Sequence, residues 1–278
     1  MTAYIIRRLL ATIPVMVVVA IFVFLLLHLT PGDPAAVIAG DDATPEAVDG
    51  IRTKLGLDQP IHVQFGIYAA NLLRGDLGTS IFSNLPVLTL VKQRLEPTLV
   101  LAASTLVMAV LLAIPMGVLA AWKARTFIDR LVMGFSVLGF AVPGFLVGYL
   151  LIYVFAIELK WLPVQGYRPL SQGIDQTARS IILPALALSM AYMALIARMT
   201  RASMLDVLSQ DYIRTAKAKG VATLIVLLRH ALKNAAVPIV TVIGIGLTLL
   251  ISGVVITETV FNIPGLGRLT VDAILKRD

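Results

Sequence analysis

The chain has 278 residues, of which 58% are hydrophobic and 14% are charged, and it contains no cysteine. A typical soluble domain is about 45–50% apolar and about 25% charged, so this composition excludes an ordinary soluble enzyme and a disordered protein. The lack of cysteine excludes a disulfide scaffold, a thiolate metal site and a cysteine nucleophile. The net charge of +7 does not indicate nucleic-acid binding, because the basic residues flank apolar runs and are not interleaved with aromatic residues.

Five long stretches without a charged side chain dominate the sequence; they cover residues 9–32, 97–122, 131–157, 180–197 and 234–257. A helix needs about 20 apolar residues to cross a bilayer, and backbone groups in lipid must be paired, so each stretch is predicted to be a membrane-spanning helix. The first stretch is too long for the apolar part of a signal peptide, which has about 7–15 residues. We therefore interpret residues 1–29 as a retained transmembrane anchor and predict an all-α, polytopic transmembrane helix bundle.

The distribution of basic residues predicts the orientation of this bundle. If the N-terminus is cytoplasmic, the inner segments hold only three of the 16 acidic residues but 12 of the 23 lysine and arginine residues: Arg7, Arg8, Lys123, Arg125, Arg130, Arg198, Arg201, Arg214, Lys217, Lys219, Arg229 and Lys233. Positive charge is enriched in short cytoplasmic loops, which predicts a cytoplasmic N-terminus. Five spans from that start end on the outer side, and we expect a sixth span that is missing after residue 278.

The absence of charge from the five runs bears on the type of protein. Ion-coupled carriers generally need acidic or basic side chains within the membrane, and an intramembrane enzyme needs catalytic polar groups there. Both alternatives are therefore disfavoured, and a passive anchor is a third alternative. Each run has one proline away from its outer end: Pro14, Pro115, Pro143, Pro184 and Pro238. These prolines favour a bundle that changes shape, because proline removes a backbone hydrogen bond and kinks a helix.

Residues 30–96 form a long, largely polar segment that falls on the outer side and is predicted to contain short helices. Thr44, followed by proline and glutamate, is typical of a helix N-terminus, and Gly56 is the expected C-cap of that helix. A second helix is predicted from about residue 61 to 73, with Gly75 at its end. The glycine-rich loop that follows is not a phosphate loop, since it lacks the Gly-Lys-Ser/Thr sequence.

The basic connecting segment, residues 198–233, is the most informative part of the chain. Its apolar side chains follow a spacing that predicts one face of a helix, namely Leu205, Leu208, Tyr212 and Ala216. Gly220 is expected to end this helix. The pattern is typical of a helix resting on an anionic membrane surface or of one docking a cytoplasmic protein. Small residues favour docking, because they let another protein approach the backbone: Ala216, Ala218 and Gly220.

Two runs in this segment, Tyr-Ile-Arg-Thr-Ala-Lys-Ala-Lys-Gly at 212–220 and Arg-His-Ala-Leu-Lys-Asn-Ala at 229–235, resemble the cytoplasmic motif of ABC importer permeases. The resemblance is closest to the branch for dipeptides, oligopeptides, glutathione and nickel. Four other stretches are similar to that branch and lie in the same order: 31–34, 55–60, 75–78 and 264–268. Of the broad importer motif, Ala216, Gly220 and Leu232 match, whereas Arg214 stands where that motif has glutamate.

The resemblance implies a type I importer permease with six spans, in which residues 97–278 form the permease core and the basic connecting segment is the coupling loop. It implies a homologous second permease, two cytoplasmic ATPase subunits, an extracytoplasmic substrate-binding protein and the lipid bilayer as partners. The residues implied to dock the ATPases are Asp211, Tyr212, Arg214, Thr215, Ala216, Lys217, Ala218, Lys219 and Gly220. ATP and Mg²⁺ are expected on those partners, because this chain has no Gly-x-x-x-x-Gly-Lys-Ser/Thr motif.

The expected function is a non-enzymatic permease subunit of an ATP-driven importer in the inner membrane of a bacterium, with no cofactor, metal or catalytic residue of its own. Peptides are the substrate that the resemblance favours, and nickel chelates or glutathione are alternatives within the same family. Candidate residues of the translocation pathway lie in the third and fifth apolar runs: Ser136, Phe140, Pro143 and Ser252.

Overall fold

The computed structural model describes residues 2–29, 33–39, 44–54, 56–80, 82–276 and 278. Apart from an isolated bridge between Thr79 and Pro86, the regular structure of these residues is helical, as the composition predicts. The chain divides into two compact units, Met1–Leu90 and Val91–Asp278, which are described in turn. The sequence motif at 31–34 and the first residue of the motif at 55–60 fall partly outside the described residues.

Within the described part of the first unit, the helices are α1 (Thr2–Leu29), α2 (Pro34–Ala39), α3 (Pro45–Lys54) and α4 (Ile61–Leu73). Helices α3 and α4 confirm the two short helices predicted from the sequence. The Thr44 hydroxyl accepts a hydrogen bond from the Ala47 amide at 3.4 Å, as expected of an N-cap. Gly56 and Gly75 follow α3 and α4 with φ of +67° and +77°, a conformation that glycine adopts without strain.

Side-chain contacts join the helices of the first unit. The Phe24 ring of α1 packs against Phe65 and Tyr68 of α4, with ring centroids 5.3 and 5.6 Å apart. Asp33, just before α2, accepts a hydrogen bond from Arg52 of α3. This hydrogen bond lowers the pKa of Asp33 below its ordinary value.

The second unit is built from longer helices, beginning with α5 (Val87–Trp122), α6 (Phe127–Ala141), α7 (Gly144–Leu151) and α8 (Ile174–Leu208); the first four residues of α5 belong to the first unit. They are followed by α9 (Asp211–Ala218), α10 (Thr223–Ile225), α11 (Lys233–Val260) and α12 (Leu266–Lys276). Two π-helical stretches continue these elements: Ile152–Glu158 extends α7, and Val226–Leu232 joins α10 to α11.

Among the described residues, four helical stretches are long and apolar enough to cross a membrane: Ala3–Leu25, Val87–Trp122, Ile174–Leu208 and Thr223–Thr248. A fifth span is formed if the bent pair Phe127–Ala141 and Gly144–Glu158 is taken as one. Many apolar side chains on these helices are exposed, as in Met16, Leu111 and Val237. Such exposure suits a lipid environment, because a soluble protein would bury them.

The third apolar run, predicted as one helix over residues 131–157, is instead broken. Its two halves meet at an angle of 106°. Pro143 cannot donate a backbone hydrogen bond, and a residue before proline is pushed out of the helical region. Val142 accordingly has extended backbone angles, with φ −88° and ψ 123°. The corresponding prolines of the other four runs, those away from the outer ends, lie inside continuous helices: Pro14, Pro115, Pro184 and Pro238.

Helix α8 is the centre of the second unit and packs against α5, α6, α7 and α11. Glycines of its neighbours allow this close packing. A Cβ atom on Gly117 of α5 would lie 2.6 Å from the Ala197 carbonyl oxygen, and one on Gly139 of α6 would lie 3.0 Å from that of Met190. Because each glycine meets a backbone atom of α8, a larger side chain would push the helices apart.

Candidate functional site

A cavity of about 380 Å³ lies beside the break between α6 and α7. Its walls come from the residues around the break, from one face of α8 and from α11, and most of the lining side chains are apolar. Among the lining residues are Phe140, Pro143, Ala191, Tyr192, Leu195 and Gly246. The break in the third run therefore forms part of the cavity wall.

The wall between α8 and α11 is formed by a close contact of Tyr192 with Gly246. The Tyr192 side chain is 5% exposed, and its hydroxyl donates a hydrogen bond to the Ile243 carbonyl. A Cβ atom on Gly246 would overlap the Tyr192 ring. Glycine at this position therefore lets the aromatic ring approach the α11 backbone closely. The hydroxyl donates a hydrogen bond to a carbonyl that would otherwise bond only within its own helix.

The structure brings together two of the four candidate pathway residues. Phe140 and Pro143 line the cavity, whereas Ser136 does not. The Ser136 side chain is 4% exposed and its hydroxyl donates to the Val132 carbonyl of its own helix, at 2.9 Å. The side chain of Ser252 lies outside the described part of the chain. Tyr192 and Gly246 also line the cavity but were not predicted as pathway residues. The sequence contained one signal for Tyr192, since it is the only tyrosine in the fourth apolar run.

The basic connecting segment contains the short, polar helix α9, which is fixed on one side. Ile213 is fully buried in the main apolar cluster, together with Met204 of α8 and Val226 of the following π-helix. The Tyr212 hydroxyl accepts a hydrogen bond from the Asn234 side chain of α11 at 3.0 Å. Ala216 is half-buried against the same cluster. The remaining predicted docking residues are exposed: Asp211, Arg214, Thr215, Lys217, Ala218, Lys219 and Gly220.

The end of α9 confirms the turn predicted at Gly220. This residue has φ +76°, its amide donates to the Lys217 carbonyl, and the amide of Val221 donates to the Ala216 carbonyl. These two bonds form a Schellman motif, which satisfies the free carbonyl groups at a helix C-terminus. Gly220 is therefore required by the backbone itself, whatever docks beside it.

The prediction of one continuous apolar helix face through the connecting segment was wrong. Helix α8 ends at Leu208, and Gln210 adopts extended backbone angles, φ −71° and ψ 149°, before α9 begins. This turn resets the helical phase, so that Ile213 rather than Tyr212 points into the protein. Tyr212 is 44% exposed, whereas Ile213 is not exposed at all.

A buried ion pair links the start of α6 to α8. The Asp129 carboxylate accepts hydrogen bonds from Arg201 Nε at 2.5 Å and Arg201 Nη2 at 2.7 Å, and from the Arg125 amide at 2.8 Å. The side chains of Asp129 and Arg201 are 6% and 25% exposed. Because α6 ends at the cavity and α8 leads to α9, the pair holds together the helices on which both features lie.

A second buried carboxylate holds the other end of α11. Glu258 is fully buried, and its Oε1 atom accepts a hydrogen bond from the Thr98 hydroxyl at 2.6 Å. Its Oε2 atom accepts one from the Arg268 amide at 2.9 Å, in the first turn of α12, where a negative charge is stabilised. A Cβ atom on Gly265 would overlap the Glu258 carboxylate. The Pro-Gly-Leu-Gly sequence at 264–267 thus forms a cradle for this carboxylate.

With this geometry established, comparison with known proteins decides the family. Residues 113–278 match the family described as binding-protein-dependent transport system inner membrane component, and residues 1–102 match the N-terminal family of such membrane components. The chain belongs to this family. It is therefore a multi-pass membrane component of a transport system and not an enzyme.

Individual relatives are similar over the whole chain. A probable peptide ABC transporter permease protein of Sinorhizobium fredii, y4tP, is 55% identical over 278 residues, which cover 100% of this chain and 89% of the relative. The glutathione transport system permease protein GsiC is 45% identical in Escherichia coli and 44% in Salmonella typhimurium, over 279 residues that cover 100% of this chain and 88% of each relative. These similarities confirm the ABC permease family indicated by the sequence motifs.

Proposed function

We propose that this permease forms half of the translocation pathway of an ATP-driven peptide importer. Relatives named as peptide and glutathione permeases support this substrate class, and glutathione is itself a small peptide. A homologous second permease would supply the other half, and an extracytoplasmic binding protein would deliver the peptide. ATP and Mg²⁺ would bind to two cytoplasmic ATPase subunits. Nickel chelates stay the alternative substrate within the family.

The observation that carries this proposal is the orientation of α9. A helix that rests on a membrane surface buries its apolar face in the lipid and not in its own protein. In α9 the buried side chain is Ile213, and the outward face carries charged groups: the side chains of Asp211 and Arg214 are 94% and 75% exposed. A helix anchored to its own protein by an apolar face, with a polar face free, suits the docking of another protein.

The connections of α9 explain how docking would drive transport. Two residues separate it from α8, and the Tyr212–Asn234 hydrogen bond joins it to the start of α11. Both α8 and α11 line the cavity. When the ATPases close on ATP and push α9, both walls of the cavity would therefore move. This arrangement requires α9 to lie on the cytoplasmic side. The distribution of basic residues predicts that location for the basic connecting segment and for the N-terminus.

Two substitutions on the exposed face of α9 test this function: Lys217→Glu and Ala218→Trp. We expect each to reduce uptake of peptide by cells about tenfold or more, because a reversed charge or a bulky side chain weakens a docking interface by about 1–3 kcal/mol. Stimulation of ATP hydrolysis by the loaded binding protein should fall in parallel. Ala216 and Gly220 are less suitable positions, since packing and a positive φ constrain them.

The matched control is Arg74→Glu, which reverses an exposed basic side chain in the first unit and should leave uptake unchanged. Protein abundance in the membrane is measured for all three variants. Normal, ATP-dependent uptake by both α9 variants would contradict the docking role. Uptake by vesicles that contain the permeases but no ATPase would instead support an ion-coupled carrier.

A further inference from the structure

Arg198 lies at the rim of the cavity. Its guanidinium carbon is 5.3 Å from the centroid of the Phe140 ring, and Phe140 lines the cavity. Along α8, Arg198 follows the lining residues Ala191 and Leu195 at helical spacings of seven and three residues, so the three share one face. A positive charge thus stands on the cavity face of α8, one turn beyond the apolar lining.

This charge contrasts with that of Arg201, three residues further along the same helix. Arg201 is neutralised by Asp129 in the buried ion pair. For Arg198, the described residues provide no carboxylate within ion-pair distance, and its side chain is exposed. The two arginines therefore serve different purposes: one fixes the helices, and the other leaves its charge available at the cavity.

The contact with Phe140 restrains the guanidinium of Arg198. A guanidinium over an aromatic ring is attracted through its flat face, whereas its N–H donors point outward in its plane. Those donors match the two oxygens of a carboxylate in a bidentate pair. The contact with the ring thus restrains the position of the guanidinium, whose N–H donors can pair with a carboxylate.

We infer that Arg198, held beside Phe140, binds the carboxylate of a peptide as it passes the cavity. This inference rests on the proposed function and adds a recognition element to it. The cavity lining is mostly apolar, so a peptide carboxylate that enters it loses hydration, and a cation is needed to compensate for that loss. Arg198 supplies that cation, and its position favours peptides with a free C-terminal carboxylate over peptides whose C-terminus is blocked.

The experiment uses proteoliposomes containing the complete importer, supplied with its binding protein and ATP. The probes are di- and tripeptides that the unaltered importer takes up from a defined mixture, each compared with its C-terminal amide. For every peptide, uptake by the Arg198→Gln variant is divided by uptake by the unaltered importer. This ratio cancels any preference of the binding protein, because the same binding protein serves both importers.

We expect Arg198→Gln to reduce uptake of the free-acid peptides about tenfold, since a charge-assisted hydrogen bond is worth roughly 1.4 kcal/mol or more. Uptake of the amides should change less than about twofold, because an amide has no carboxylate for Arg198 to bind and other effects of substituting an exposed residue are small. Arg198→Lys should recover part of the loss, because it restores the charge without the bidentate geometry. Arg130→Gln removes an exposed arginine near the start of α6 and serves as the matched control with normal uptake.

Three results would overturn the inference while leaving the importer function intact. Equal loss for acids and amides, with weaker co-purification of the second permease, would mean that Arg198 pairs with a carboxylate of that subunit. A loss that disappears when phosphatidylglycerol is omitted from the vesicles would assign Arg198 to a lipid phosphate. Unchanged uptake of both peptide forms would show that the arginine does not contact the substrate. Failure of the proposed function would differ from all three, because the unaltered importer would then show no ATP-dependent uptake.

Discussion

Asp129→Asn should destabilise the second unit by about 3 kcal/mol, because removing one partner of a buried ion pair leaves the other charge uncompensated. Arg201 would keep its charge with three-quarters of its side chain out of contact with water. Arg201 now donates to both oxygens of the Asp129 carboxylate. An asparagine side chain at position 129 would offer it only one acceptor oxygen. The measurement is the unfolding midpoint of the detergent-solubilised protein, which should fall by several degrees.

The same chain provides a matched control for this ion pair. Arg214 and Asp211 are also paired, at 3.2 Å, but their side chains are 75% and 94% exposed. Exposed pairs contribute about 0–1 kcal/mol, so Asp211→Asn should leave the midpoint almost unchanged. Equal effects of the two substitutions would contradict the structural role given to Asp129. The double variant Asp129→Asn/Arg201→Met should regain much of the lost stability, since it removes the unpaired charge and keeps an acceptor oxygen for the Arg125 amide.

Glu258→Gln should release the start of α12 and cost about 1–3 kcal/mol, the penalty for leaving a buried donor unpaired. The carboxylate accepts with both oxygens, one from the Thr98 hydroxyl and the other from the Arg268 amide. Glutamine has one acceptor oxygen, so at least one of these two hydrogen bonds must be broken. Hydrogen exchange of the amides in α12 measures the effect, and we expect clear loss of protection in its first turn.

Glu96 offers a control for this second substitution. Its Oε1 atom alone accepts from both the Tyr167 hydroxyl and the Leu170 amide, each at 2.9 Å. Glutamine can keep both bonds with its single oxygen, so Glu96→Gln should have a much smaller effect on exchange. Unchanged protection of α12 in Glu258→Gln would mean that its carboxylate does not cap that helix.

Local signals in the sequence predicted much of the fold. Over the described residues, four of the five apolar runs lie within continuous helices, because a helix satisfies its own backbone within lipid. Gly75 and Gly220 ended helices as predicted, since the positive φ that each adopts is a property of one residue and its neighbours. These features depend on at most one or two turns of chain, which is the range over which a sequence pattern is informative.

The remaining features depend on contacts that no local pattern contains. Pro143 breaks its helix whereas Pro184 does not, because in a membrane neighbouring helices decide whether a freed carbonyl is tolerated. Thr98 and Glu258 are 160 residues apart in the sequence, so their hydrogen bond could not be read from spacing. The burial of Ile213 depended on the turn at Gln210, which shifted the helical phase after Leu208.

The proposed function requires the exposed face of α9 to contact the ATPase subunits. The chain has no cysteine, so Ala218→Cys creates a single attachment point on this subunit for a maleimide photo-crosslinker. In the assembled importer, illumination should join residue 218 to an ATPase subunit in high yield. The same probe at Leu73→Cys, where the side chain is 89% exposed in the other unit, should not reach that subunit. Crosslinking of residue 218 to lipid alone, with intact ATPases present, would contradict the account.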